Sequence, residues 1–316
     1  MRKIPPESLR NETERGTVAM QKLSEILDRA RTKETRRLVV AAAEDLHVLQ
    51  AVIRARQEGV IRPILVGNTD KISELCGTHG LDLEDIPLVD EKDAENACRL
   101  AVALVREGEA DILMKGLVST APLLRAVLDR RQGLRKAPLL SHAALFEIPA
   151  YHKLLTVTDA AINLEPGLGE KASIVRNAVE IYHRLGIAEP RVAAIGPIET
   201  VNPKIPSTVD AKKLSQLNES GKLGGCLVSG PLALDNAVSR EAARHKGISS
   251  PVAGDADILL APDLDCGNVL YKSLIFLGNS TSAAVVMGAT VPIVLTSRAD
   301  SERSKLMSIA LASALD

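Results

Sequence analysis

The chain has 316 residues, 46% of them hydrophobic but only 2% aromatic, and 39 Lys and Arg against 40 Asp and Glu leave a net charge of -1. That length predicts about two domains at roughly 150 residues each, both large enough to bury a core. The charge balance offers no chain-wide basic field for nucleic acid, and a chain without Trp, with three Tyr and two Phe, has little material for base-stacking platforms or membrane-interface belts.

The first stretch, MRKIPPESLRNETERG, lacks the apolar run of a signal peptide, and Cys76, Cys98, Cys226 and Cys266 form no C-x-x-C pair. A cytoplasmic protein with free thiols is expected. Residues 37–42 (RLVVAA) read as a short buried strand, followed by a helix in which Leu46, Leu49, Val52 and Ile53 recur at helical spacing and Gly59 closes the end. The unit repeats as RPILVG (62–67) with DKISELCGTHG, IPLVD (86–90) with EKDAENACRLAVALVREG, and ADILMKG (110–116) with STAPLLRAVLDRR. Short apolar strands alternating with amphipathic helices predict a parallel sheet with crossover helices.

RRQGLRKAP (130–138) reads as a linker, and from about residue 137 the segments become irregular until the helical EKASIVRNAVEIYHRLG. Strands at RVAAIG, GGCLVSG and ADILLAP, a helix around 211–220 and another near GNVLYKSLIFLG continue the alternation; VPIVLTS and the helix ERSKLMSIALASAL end it. Ser273–Ser297 carries no charge and is long enough to span a bilayer, but Asn279, Pro292 and frequent Ser and Thr make it buried α/β core. No internal repeat is visible.

H-E-x-x-H, G-x-S-x-G and P-loop signatures are missing, and the six histidines show no metal-ligand spacing, so no metal is expected. The run from Gly167 to Ala172 matches G-x-G-x-x-A, yet Glu165 and Glu170 would set negative charge against a pyrophosphate; it reads as a helix-capping turn. An NAD-dependent dehydrogenase therefore stays a remote alternative. The richest constellation is VPIVLTSRADSERSK, where a buried strand (291–295) runs into Thr296, Ser297, Arg298, Asp300 and Ser301 before a helix. Ligands of open α/β sheets bind at such strand exits, and amides, hydroxyls and a guanidinium suit a phosphate or an oxyanion. A purely local alternative has Ser301 capping the helix while Arg298 and Asp300 pair at the surface. The exit after ADILMKG has similar character, with Lys115, Gly116, Ser119, Thr120 and Arg125; Asp263, Asp265, Gly267, Asn268 and Lys272 form a third group, and Asp235 with Asn236 a fourth.

Six stretches carry a resemblance: MKGLVSTAPLLRAVL (114–128), DAAINLEPGLGEKASIVRNAV (159–179), ETVNPKIPSTVDA (199–211), GPLALDNAVS (230–239), CGNVLYKSL and GATVPIVLTSRADSERSKL. Through them the chain, from about residue 37 to its end, resembles the phosphate acetyl/butyryltransferase family, and most of all its butyryl branch. The resemblance implies reversible transfer of a short acyl group between CoA and inorganic phosphate, with acetyl-CoA as the alternative donor. It implies two α/β domains with mainly parallel sheets, of the isocitrate/isopropylmalate dehydrogenase-like type, with the active site in the interdomain cleft. Residues 1–136 plus 277–316 would form the discontinuous first domain and 137–276 the second, so that the two strand exits face one cleft.

Phosphate is then its own nucleophile and no covalent enzyme intermediate is required. Arg298, Arg125 and Lys115 become the candidate cations against the phosphates, and Ser297 with Arg298 the stabilisers of the carbonyl oxygen. Gly116, Ser119, Thr120, Asn268, Lys272 and Thr296 complete the expected binding set. Acyl-CoA, phosphate and acyl phosphate are the expected partners, with no tightly bound cofactor and a homodimer or larger homo-oligomer. In the acetyl branch the proposed acidic base lies six residues after the motif arginine, and here that position is Ser304. Asp300 is the replacement candidate for the base, ahead of Glu302, with orientation of Arg298 as its other role.

Overall fold

The computed structural model describes residues 20–297 and 299–315. The first elements are α1 (Leu23–Arg31), β1 (Arg36–Ala41), α2 (Leu46–Gln57), β2 (Ile61–Gly67), α3 (Thr69–His79), β3 (Leu88–Asp90), α4 (Ala94–Arg106), β4 (Ile112–Lys115) and α5 (Thr120–Val127). There follow β5 (Ser141–Glu147), β6 (Leu155–Thr158), α6 (Leu168–Arg184), β7 (Arg191–Ile195), α7 (Pro206–Glu219), β8 (Leu227–Leu232), α8 (Leu234–Val238), α9 (Arg240–His245) and β9 (Ile258–Leu260). The chain closes with α10 (Leu264–Phe276), β10 (Thr281–Met287), β11 (Ile293–Val294) and α11 (Glu302–Ala314).

The α/β class and the mainly parallel pairing are as the alternation predicts. The strands nevertheless form one eleven-stranded sheet, in the order β3-β2-β1-β4-β11-β10-β5-β6-β9-β7-β8, and not separate sheets. The join is antiparallel: β10 pairs with β11 on one side and β5 on the other, and β5 pairs antiparallel with β6. Two of these strands, β5 and β6, lie where the sequence reads as irregular. β5 and β10 are buried along almost their whole length, so neither shows the period-2 alternation that marks a half-exposed strand.

Strand alternation divides the interior between the two faces. Leu38 and Val40 of β1 join a cluster with Leu49 and Val52 of α2 and Ile309 and Leu311 of α11, whereas Val39 and Ala41 join Ala101 of α4 and Leu123 of α5. Val192 and Val228 pack with Ile174 and Val175 of α6, and Ala193 and Leu259 face Ala237 of α8. The first cluster also takes Ala143 and Leu145 of β5 with Ala283 and Val285 of β10. Its apolar layer thus runs unbroken across the join, which is why the sheet does not split there. Among the described residues no helix is long and apolar enough to cross a membrane.

One ionic cluster lies apart from the strand exits. Asp255 accepts from His152 Nε2 at 2.8 Å and Arg240 Nη2 at 3.0 Å, is paired with Arg191, and sits 3.1 Å from Lys153 Nζ. Burial pushes its carboxyl up, but the His152 hydrogen bond and the charges of Lys153 and Arg191 outweigh it and hold the pKa at about 2. Because this lies below the ordinary value near ~3.9, the carboxylate stabilises the fold above about pH 4 and loses that contribution as pH falls toward about 2. Asp255→Asn is therefore expected to cost about 3 kcal/mol at neutral pH. Chemical denaturation at several pH values should show the gap from wild type closing through that acidic window; a gap independent of pH contradicts the assignment.

Candidate active site

β11 lasts two residues, and the chain then turns out of the sheet. The β10 amides that β11 leaves behind are met from α11: Ala284 N donates to Ser308 Oγ at 2.9 Å and Ser282 N to Ser304 Oγ at 3.4 Å. The departing loop opens a cavity lined by Leu295, Thr296, Ser297, Ala299 and Asp300, with Thr120 from the start of α5 and His142 from β5. Ala160 and Ala161 after β6 and Asn268, Tyr271, Lys272 and Phe276 of α10 close the other side. Leu295 belongs to the α4–α5 core cluster, and Ala160 and Tyr271 to the α8–α10 cluster. The cavity therefore marks the seam between these two core clusters.

Two glycines allow the close approaches that shape it. A Cβ on Gly116 would lie 2.0 Å from the Ala42 carbonyl oxygen, so only glycine lets the β4 exit run against the β1 exit, where Leu117 N donates to Ala42 O at 2.6 Å. A Cβ on Gly267 would lie 2.1 Å from the Asp159 carbonyl oxygen. Glycine there brings α10 down onto the β6 exit, and Asn268 Nδ2 donates to Ala160 O at 3.1 Å.

The loop itself is held from three directions. Asp300, only 7% exposed, accepts from Ser297 N at 2.7 Å and lies with both oxygens 3.2 Å from the Tyr271 hydroxyl. Burial, with the Asp300 charge adding to it, pushes the Tyr271 hydroxyl well up, so it stays protonated and donates. The buried Lys305 ammonium donates to the Asp300 carbonyl at 2.6 Å and the Ser297 carbonyl at 3.2 Å; burial lowers its pKa against the raising effect of Asp300 and Asp45. Ser301 caps α11 by accepting from Ser304 N at 3.1 Å, so the capping half of the local alternative holds.

The cavity gathers Thr296, Ser297, Asp300, Thr120, Asn268 and Lys272 from three separated parts of the sequence. Arg298 lies outside the described residues. Lys115 does not line the cavity; it is buried, and its ammonium donates to the Gly116 and Val118 carbonyls at 3.1 and 3.0 Å, bracing the β4 exit from within. Arg125 is placed elsewhere too, paired with Glu95 at 2.9 Å beside a hollow between α4 and α5. The cause is helical geometry, since a residue five positions after the first residue of α5 has rotated past the strand exit. Ser119 is an exposed N-cap of α5. Gly167 is the N-cap of α6, its amide donating to Glu170 Oε2 at 2.8 Å, as a capping turn requires.

Three neighbours of the site have no signal in the sequence pattern. Tyr271 is one of two aromatics in α10, Lys305 one of two cations in the first turn of α11, and His142 a lone histidine in an apolar run. Asp159 is a fourth, inside DAAINLEPGLG; it accepts from Ala161 N, Ile162 N and His142 N at 2.8, 3.0 and 3.2 Å and shapes the β6 exit.

Comparison with known proteins gives a consistent picture. The family described as phosphate acetyl/butaryl transferase matches residues 22–98 and 91–313. A phosphate butyryltransferase of Clostridium acetobutylicum is 45% identical over 293 residues, covering 93% of this chain and 97% of that protein. A phosphate acetyltransferase of Thermotoga maritima is 44% identical over 289 residues, covering 92% and 98%. The crystal structure of a branched-chain phosphotransacylase from Enterococcus faecalis V583 superposes with a TM-score of 0.79 at 36% identity, covering 89% of this chain and 99% of that one.

Proposed function

Since the chain belongs to the phosphate acetyl/butaryl transferase family, we propose that the seam cavity is where it moves a short acyl group between CoA and inorganic phosphate. The overall reaction is reversible: acyl-CoA plus phosphate gives acyl phosphate plus CoA. The observation that carries the assignment to this cavity is the convergence of Thr296, Ser297, Asn268, Lys272 and Thr120 on one hollow.

A phosphate oxygen attacks the thioester carbonyl, a tetrahedral oxyanion forms, and the C–S bond breaks. Ser297 Oγ accepts from Ala299 N at 3.3 Å, which leaves its own proton to donate to the carbonyl oxygen. Arg298 supplies the planar cation that draws the phosphate in and shares the developing charge. Thr296 and Thr120 hydroxyls and the Asn268 amide position the phosphate and the thioester, and exposed Lys272 at the rim meets the CoA phosphates. Leu295, Ala160, Ala161, Ala299 and Phe276 add apolar lining to the cavity that suits methylenes, which supports a butyryl or similar chain. The transfer requires no resident cofactor; CoA and phosphate enter as substrates. Free cysteines and a CoA substrate fit residence in the cytoplasm, and we assign the chain a homodimeric or larger assembly.

Phosphate-dependent CoA release from acetyl-, butyryl- and isobutyryl-CoA tests the reading. Turnover is expected with all three and kcat/KM at least about tenfold higher for the four-carbon chains than for acetyl, since each buried methylene contributes about 0.8 kcal/mol. A preference for acetyl-CoA would assign the chain to the acetyl reaction; release from none of them removes the acyl-transfer reading altogether.

A further inference from the structure

Running toward acyl-CoA, the reaction must take a proton from the CoA thiol, whose unperturbed pKa is near ~8.5. Ser304, at the position that is acidic in the acetyl branch, carries no titratable group and is occupied in meeting the β10 edge. Among the described residues lining the cavity, the titratable side chains are His142, Tyr271, Lys272 and Asp300. Tyr271 is a protonated donor, Lys272 a cation, and the Asp300 carboxylate is already engaged by the Ser297 amide and the Tyr271 hydroxyl. His142 remains. It is 4% exposed, its ring stands edge-on to Tyr271 with centroids 5.9 Å apart, and its Nδ1 is buried without a hydrogen-bond partner among the described residues. Such a nitrogen is costly to leave unmet.

We infer that the imidazole of His142 is the group that accepts the CoA thiol proton, an inference that rests on the acyl-transfer reading above. In the acyl-phosphate-consuming direction the S–H bond breaks, the proton moves to the imidazole, and sulfur attacks the acyl carbon. The C–O bond to phosphate then breaks, and the imidazolium gives its proton to the departing phosphate, which leaves as hydrogen phosphate. Acyl phosphate and CoA thiol thereby become thioester and hydrogen phosphate with no proton left over. The imidazole is suited to wait in the neutral, lone-pair form: burial pushes its pKa below the ordinary value, against the opposing charges of Asp159 and Asp300 and the pull of the nearby Leu295 backbone. Lys272 and Tyr271 on α10 line the same cavity, and the Tyr271 hydroxyl is uncharged.

The test is the pH profile of acyl-CoA formation from acyl phosphate and CoA in wild type, His142→Gln and His142→Asn. Both variants are expected to lose about 100-fold in kcat near pH 7, with the loss shrinking toward pH 9 as the thiol ionises by itself. CoA binding and thermal midpoint should stay close to wild type. A loss equal at every pH, or no loss, overturns the inference. Should neither variant fold, the wild-type enzyme still decides: an acid limb in kcat/KM below about pH 6.5 with a normal solvent deuterium isotope effect is expected, and a flat profile without one overturns it. Wild type inactive with every acyl donor overturns the acyl-transfer reading instead, whereas active wild type with unimpaired variants removes only His142.

Discussion

Replacing Arg298 with Ala is expected to lower kcat for phosphate-dependent CoA release by about 10³-fold or more, while the dissociation constant for CoA changes by less than about tenfold. Loss of one preorganised donor to a developing oxyanion ordinarily costs about 10²–10³ in kcat, and Arg298 is assigned a second duty toward the phosphate. Arg298 is flanked in sequence by Ser297 and Ala299, which both line the seam cavity. Arg298→Lys should recover little, because an ammonium cannot present the paired donors of a guanidinium. Steady-state kinetics over a phosphate series, with CoA binding followed by calorimetry, checks both statements. Turnover above a tenth of wild type in the Ala variant would remove Arg298 from the reaction, and equal loss of binding and turnover would give it a ground-state role only.

Asp300→Asn should lower kcat by about 10²-fold and the thermal midpoint by a few degrees while leaving the shape of the pH profile unchanged. The carboxylate holds two donors at once, the Ser297 amide at 2.7 Å and the Tyr271 hydroxyl at 3.2 Å. Charge-assisted hydrogen bonds of this kind contribute about 1.5–3 kcal/mol, and the asparagine amide nitrogen cannot accept either donor. The consequence falls on the position of Ser297, so Asp300 is a positioning residue on this reading. If it is instead the thiol base, its variant and not His142→Gln will lose the acid limb, which separates the two assignments directly.

The extent to which these residues were legible in the sequence follows from where the information resides. RLVVAA, RPILVG and ADILMKG announce parallel strands because each is short, apolar and followed by a helix of clear period. β10 and β5 announce nothing, because a strand buried on both faces has no alternation and antiparallel pairing is a tertiary fact. Thr296, Ser297 and Thr120, which line the hollow, were legible as strand-exit residues because the strand and helix boundaries on either side of them are marked in the sequence. Lys115 and Arg125 lie off the hollow for a related reason: the sequence marks an exit but not the direction in which a long cation leaves it, and one turns inward to carbonyls while the other turns outward to Glu95. His142, Tyr271 and Lys305 belong to the site through contacts across 29 or more residues of chain or through helix rotation. No local spacing encodes these.

The position of β11 between β4 and β10 also sets the order in which the molecule can be finished. During synthesis β4 emerges long before residues 293–294, and until they arrive its outer edge has no neighbour, while β5 waits in the same way for β10. Unpaired edges of this kind invite intermolecular pairing. A product terminated before Thr281 lacks both central strands, α11 and the Thr296–Asp300 loop. It would carry two half-sheets with raw inner margins and no cavity, so a prematurely stopped chain is not a weakened enzyme but an aggregation-prone one.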